Sequence, residues 1–209
     1  MTATKERCHW GKFSPLMERY HDEEWGVPLH DDRRHFEFLI LDAFQAGLSW
    51  STILNKREDF RRAFAGFDPV RVGRFNQRSA DRLMRDAGIV RNRAKIEASI
   101  GNARAFLEVQ DAHGSFDGFI WGFVDGAPRQ NRWKSLKQVP PTTPQSDRMS
   151  RELKALGFRF VGPTICYAYM QAAGLVNDHT VTCFRHEEVR RMGGVGFTET
   201  IGQPTLQAP

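Results

Sequence analysis

The chain has 209 residues with a net charge of +5, 40 % hydrophobic and 26 % charged residues, a composition that excludes a disordered chain. Its three cysteines exclude a disulfide-stapled scaffold and favour a reducing, cytoplasmic setting. No apolar run reaches the roughly 20 residues of a membrane helix, and the opening MTATKERCHWGK lacks the apolar stretch of a secretory signal.

The periodicity predicts helices almost throughout and no convincing strand. Asp31 and Asp32 suit a helix N-terminus, and Phe36, Leu39, Ile40 and Ala43 follow at helical spacing up to Gly47. Ser49 then caps a helix carrying Trp50, Ile53, Leu54 and Phe60. Asp68-Pro69 is a cap with Pro at the first helical position. Short helices follow over 79–87, closed by Gly88, and over 91–109, then an aromatic one over 116–124. Residues 126–144 read as a long loop because Pro140, Pro141 and Pro144 exclude regular structure. Helices are expected over 146–156 and 163–173, and a last one from about Asn177. The expectation is one all-α domain over 1–192 with a frayed Gly/Thr/Gln/Pro tail over 193–209.

Of the 30 basic side chains, 23 are Arg, the residue suited to bidentate phosphate contacts. That surplus leans toward an anionic partner such as nucleic acid, with a plain solvated surface as the other reading.

Four groups of residues could carry chemistry. Cys8, His21, His179 and Cys183 supply two thiols and two imidazoles, the donor set of a closed tetrahedral zinc site. The spacing of His179 and Cys183 puts them on one face if that segment is helical. The other reading is a capping His and two small core cysteines; Cys166, in the apolar TICYAYM run, reads as core. Second, Trp10, Tyr20, Trp25 and Trp50 crowd the first fifty residues around Asp42, which falls beside the apolar face of its helix. A buried carboxylate is costly, so Asp42 either serves a task or lies solvated at the edge of that face.

Third, the turn Gly88-Ile89-Val90-Arg91-Asn92-Arg93, with Lys95 just beyond, has the form of a helix–hairpin–helix clamp on a nucleic-acid backbone. In that form Gly88 adopts the left-handed C-cap conformation, and Arg91, Arg93 and Lys95 add charge for a phosphate. Fourth, Gly47 and Leu48 form a tight turn whose Leu either enters a base stack or packs inward like any interhelical loop.

The stretches YHDEEWGVP (20–28), QAGLSW (45–50), DAGIVRNRAKI (86–96) and FRFVGPTICYAYMQAAGLVNDH (158–179), in this order, resemble the 3-methyladenine DNA glycosylase I family over most of the chain. The resemblance implies an all-α helix–hairpin–helix glycosylase fold and a structural zinc ion on Cys8, His21, His179 and Cys183. It implies a base pocket with Trp50 as stacking platform, Tyr20, Trp10 and Trp25 as walls, and Asp42 as the catalytic carboxylate. Gly47 and Leu48 would approach the gap in the duplex, and Gly88, Arg91, Arg93 and Lys95 would hold its backbone. The implied activity is monofunctional, hydrolytic excision of N3-alkylated adenine from flipped nucleotides of double-stranded DNA, by a monomer. The chain departs from the family at two pocket positions: Asp42 stands where Glu is usual, and Met17 where the best-known members have Tyr. Those departures keep two alternatives open, a non-enzymatic binder of damaged bases and a glycosylase for another lesion.

Overall fold

The computed structural model describes residues 5–193. Among them eleven α-helices run in order: α1 (Pro15–Glu23), α2 (Asp32–Gln45), α3 (Trp50–Asn55), α4 (Arg57–Ala63), α5 (Pro69–Gly73), α6 (Gln77–Met84), α7 (Arg93–His113), α8 (Phe116–Trp121), α9 (Pro144–Ala155), α10 (Pro163–Ala172) and α11 (Phe184–Met192). Short 3₁₀ turns lie between several of them, and two-residue strands β1 (Arg129–Gln130) and β2 (Val176–Asn177) pair in parallel. The fold is thus mostly helical, as expected. The tail expected from residue 193 falls almost wholly outside the described residues.

Caps decide most helix starts. Side-chain oxygens of Asp31, Ser49 and Asp68 accept from the first-turn N–H groups of α2, α3 and α5, as the sequence suggests. Asn76 and Asn92 do the same for α6 and α7, which shifts the predicted starts to Gln77 and Arg93. The single helix expected after Ser49 is interrupted at Lys56 (φ −100°, ψ 2°). The last helix begins at Phe184 instead of Asn177. Asn177 is committed elsewhere: it lies in β2, and its Nδ2 donates to Gln130 Oε1 (2.8 Å) and His186 O (2.9 Å).

The core is organised around α2, which contacts α7, α8, α10 and α3. Phe36, Phe38, Leu39, Ile40, Leu41 and Phe44 are all buried, so no face of this helix is free to carry polar groups cheaply. His35, fully enclosed, pins two neighbours at once: Tyr169 Oη lies 2.6 Å from Nδ1, and Nε2 lies 2.9 Å from Asp117 Oδ1. The carboxylate at Nε2 fixes the tautomer, so Nε2–H donates to Asp117 and Tyr169 donates to Nδ1. Asp32 closes the other end by accepting the Phe116 and Asp117 N–H groups at the start of α8 (2.9 and 2.7 Å).

Gly174 follows α10 with φ +73°, and a Cβ there would lie 2.4 Å from the backbone of Val27. Gly174→Ala is therefore expected to destabilise the protein by about 3 kcal/mol or more, from both strain and clash. Urea unfolding measures this; an unchanged midpoint would show that the Val27–Pro28 backbone can yield.

Candidate active site

A cavity of about 310 Å³ opens between α1, α2, α3 and α10. Trp10, Tyr20, Trp25 and Trp50 wall it, as read from the sequence, and Met17 and Asp42 face the same space. The rings form a continuous aromatic surface: Trp10 meets Trp25 edge-on at 4.9 Å and Tyr20 at 6.2 Å, and Tyr20 meets Trp50 at 5.3 Å. Phe13, Gln45 and Gln171 also line the cavity. Gln45 and Gln171 lie within the QAGLSW and 158–179 stretches, where nothing marks them as lining residues, and Phe13 carries no sequence signal.

Asp42 is 2 % exposed, so the solvated-edge reading does not hold. Its Oδ2 is enclosed without a hydrogen-bond partner, and so is Nε1 of Trp50. Buried polar atoms almost always find partners, and orphaned ones cost roughly 1–3 kcal/mol each. One unused carboxyl oxygen and one unused indole N–H, both on residues that line an aromatic cavity, describe a site that a heteroaromatic ring with donors and acceptors would complete. Burial also pushes the Asp42 carboxyl well above the usual carboxylate range.

Directly behind two of these walls lies the Cys/His group. The ligand atoms of Cys8, His21, His179 and Cys183, all buried, lie within 4.8 Å of one another. Cys8 Sγ is 3.7 Å and Cys183 Sγ 3.6 Å from His179 Nδ1, and Cys183 Sγ is 3.5 Å from His21 Nε2. Metal–sulfur and metal–nitrogen bonds of zinc length give tetrahedral S···N edges of roughly 3.5–3.6 Å, so the set fits such an ion. The second ring nitrogens are held as metal sites require: His21 Nδ1 lies 2.7 Å from Asp22 Oδ1, and His179 Nε2 lies 3.0 Å from Trp25 O. A hydrogen bond from Cys183, helped by the Thr180 N–H, brings the Cys8 thiol down to about 7. Gly11 makes room for the His21 ring, since a Cβ there would stand 2.8 Å from its Cγ.

The arrangement corrects one expectation. His179 and Cys183 do not share a helix: His179 follows β2, and Cys183 is the N-cap of α11. A turn closed by Cys183 N–H to Thr180 O (2.8 Å) brings them together instead. The cluster touches the cavity wall, with Trp10 5.2 Å from the His21 ring and Trp25 4.7 Å from His179.

On the surface beside the cavity, Gly47 (φ +79°) turns the chain and leaves Leu48 42 % exposed. The turn is therefore an outward one. In the hairpin between α6 and α7, Arg91 is exposed, and Arg93 is exposed but paired with Asp81 (2.8 Å). Gly88 is not in the left-handed region; it is needed because a Cβ would lie 2.8 Å from Asp59 Cγ. Lys95 is also corrected: it is buried, and its Nζ donates to Phe44 O (2.8 Å) and Ala46 O (2.6 Å), so it has no reach to a phosphate.

The family model described as methyladenine glycosylase matches residues 10–186. This chain belongs to the methyladenine glycosylase family. It is 49 % identical to DNA-3-methyladenine glycosylase 1 of Escherichia coli (strain K12) over 178 residues, covering 85 % of this chain and 95 % of that protein. A crystal structure of 3-methyladenine DNA glycosylase I superposes with a TM-score of 0.84 at 49 % identity, over 86 % of this chain and 98 % of the other. A Tyr-to-Phe variant of 3-methyladenine DNA glycosylase I in complex with 3-methyladenine gives 0.82 at 36 % identity, over 85 % and 95 %. Within this family frame, the aromatic cavity with its orphaned carboxyl is the candidate active site.

Because burial raises the Asp42 pKa, its ionisation costs stability above the unfolded value, about 3.9. That penalty grows as pH rises from there toward the folded pKa and is absent below both. Asp42→Asn, which cannot ionise, is expected to raise stability at neutral pH by about 1–3 kcal/mol, with the gain vanishing near pH 4. Thermal melts of both proteins across that range measure it; a pH-independent difference would mean the carboxyl is not held at a raised pKa.

Proposed function

We propose that this chain is a DNA-3-methyladenine glycosylase that everts N3-alkylated adenine from double-stranded DNA and hydrolyses its bond to the sugar. The observation that carries this reading is the orphaned Asp42 oxygen in a cavity walled by tryptophan and tyrosine, beside a loop that exposes Leu48. The family membership and the relatives' named activity point the same way.

The chemistry follows from the substrate's charge. Alkylation at N3 makes the adenine ring cationic and weakens its bond to the sugar. When that bond breaks, its electron pair goes to the base, which leaves neutral, and water adds to the anomeric carbon to leave an abasic site. A cationic, electron-poor ring gains roughly 1–2 kcal/mol by stacking on a desolvated indole such as Trp50. Burial pushes the Asp42 carboxyl up, and a cationic ring beside it favours the carboxylate form. As a carboxylate it then accepts from the base's exocyclic amine and holds the ring in place. Among the described residues no lysine lines the cavity, which fits simple hydrolysis without an amine nucleophile.

The metal we assign to Cys8, His21, His179 and Cys183 is zinc. Four protein donors leave no place for substrate, so its contribution when bound is structural. The α6–α7 junction serves as the helix–hairpin–helix contact to the DNA backbone: Asn92 caps α7, whose first N–H groups are free to meet a phosphate beside Arg91. Gly47 and Leu48 enter the base stack. We read the protein as a cytoplasmic monomer.

Release of 3-methyladenine from alkylated duplex tests the reading. Wild-type protein is expected to release the base, and Asp42→Asn and Trp50→Ala to be slower by on the order of 100-fold. Equal rates for wild type and Asp42→Asn would remove Asp42 from the mechanism. Tight binding to an abasic analogue without release would make the protein a lesion binder, and release of another base alone would make it a glycosylase for that lesion. Metal analysis is expected to find one zinc per chain, lost in Cys183→Ser together with about 3 kcal/mol or more of stability; a metal-free protein of unchanged melting temperature would refute the zinc assignment.

A further inference from the structure

Lys95 is a buried cation among neutral groups. It lies in the first turn of α7, 6 % exposed, and no carboxylate pairs with it among the described residues. Its ammonium instead meets Phe44 O and Ala46 O, carbonyls at the C-terminal end of α2 that the helix itself leaves unsatisfied. The remaining carbonyl between them, Gln45 O, accepts the Leu48 N–H at 2.6 Å. The whole 44–48 turn is thereby fixed. The Lys95 backbone N–H belongs to the hairpin, where it donates to the cap Asn92 Oδ1 (3.2 Å). One residue thus has its main chain in the hairpin and its side-chain charge in the turn that carries Leu48.

A second lysine does the reciprocal. Half-buried Lys56, at the break between α3 and α4, donates from Nζ to Ala87 O (3.1 Å) and Gly88 O (3.2 Å) in the hairpin. Lys56 lies just past α3, which Trp50 opens. Two ammonium groups on opposite sides of the junction therefore hold the hairpin against the elements that carry Leu48 and Trp50. Lys95 therefore answers two carbonyls that an apolar side chain would leave without partners, and it does so across the junction between α2 and the hairpin.

We propose that Lys95 and Lys56 are positioning residues for base eversion, struts that hold the Leu48 turn in fixed register to the backbone-gripping hairpin so that grip and insertion act as one rigid body. The proposal rests on the glycosylase reading above. Without the struts, the reaction of the hairpin's hold on the phosphates is taken up by bending of the 45–49 loop, and Leu48 is no longer driven into the stack.

The test is single-turnover release of 3-methyladenine from a lesion paired with thymine and from the same lesion in an unpaired loop, where eversion is nearly free. The proteins are wild type, Lys95→Met, Lys56→Met, Leu48→Ala and Lys95→Met/Leu48→Ala, with quenching of tryptophan fluorescence by free 3-methyladenine as a second readout. Each lysine variant is expected to lose about tenfold on the paired lesion and less than about twofold on the unpaired one, with free-base affinity unchanged. The double variant is expected to be no worse than its poorer single parent, because both changes disable the same insertion step. Equal losses on both substrates in Lys56→Met, or multiplicative losses in the double variant, overturn the proposal. Wild-type protein that releases base from neither substrate overturns the glycosylase reading itself, a separate and distinguishable result.

Discussion

The enclosure of α2 is the constraint on which the rest depends. A helix covered on every side must have each of its polar groups answered by a specific partner. His35 is answered by Tyr169 and Asp117, and Glu37 by Arg57 and Arg61 at 2.7 and 2.8 Å. The terminal carbonyls are answered by Lys95 and Leu48. Among the described residues, Asp42 Oδ2 alone of the buried acidic oxygens has no partner. The same helix thus anchors neighbouring helices through its satisfied groups and presents chemistry through its unsatisfied one.

The Cys/His group acts on that site indirectly. His21 and His179 stand against Trp10 and Trp25, so whatever orders the four side chains also orders two walls of the cavity. Trp25 is held twice, by its ring against His179 and by its carbonyl at His179 Nε2. The Cys/His group and the cavity wall share packing contacts here, which is why the two cannot be altered independently.

Much of this was legible in the sequence because the signals were local. Ser49, Asp68 and the periodic Phe36, Leu39 and Ile40 fix their helices through short-range rules, and Cys8, His21, His179 and Cys183 stand out by residue type. Asp42 was ambiguous because its position beside an apolar face does not say whether another element covers it; α1 and α10 do. His179 and Cys183 meet through a turn and not through helical spacing, because the β1–β2 pairing that delays α11 is a contact between distant segments. Lys95 looked like a surface charge because nothing in DAGIVRNRAKI shows that the end of α2 lies within reach of its side chain. Gly88 looked like a cap, and the clash with Asp59 that requires it is likewise a long-range fact.

Cys8 and His179 are 171 positions apart and meet in one cluster. On the ribosome, Cys8 and His21 emerge long before His179 and Cys183, so the group closes only after nearly all of the described helices have been made. Trp10 and Trp25, which pack on His21 and His179, wait for that closure. A translation product truncated before His179 therefore lacks the support behind two walls of the cavity.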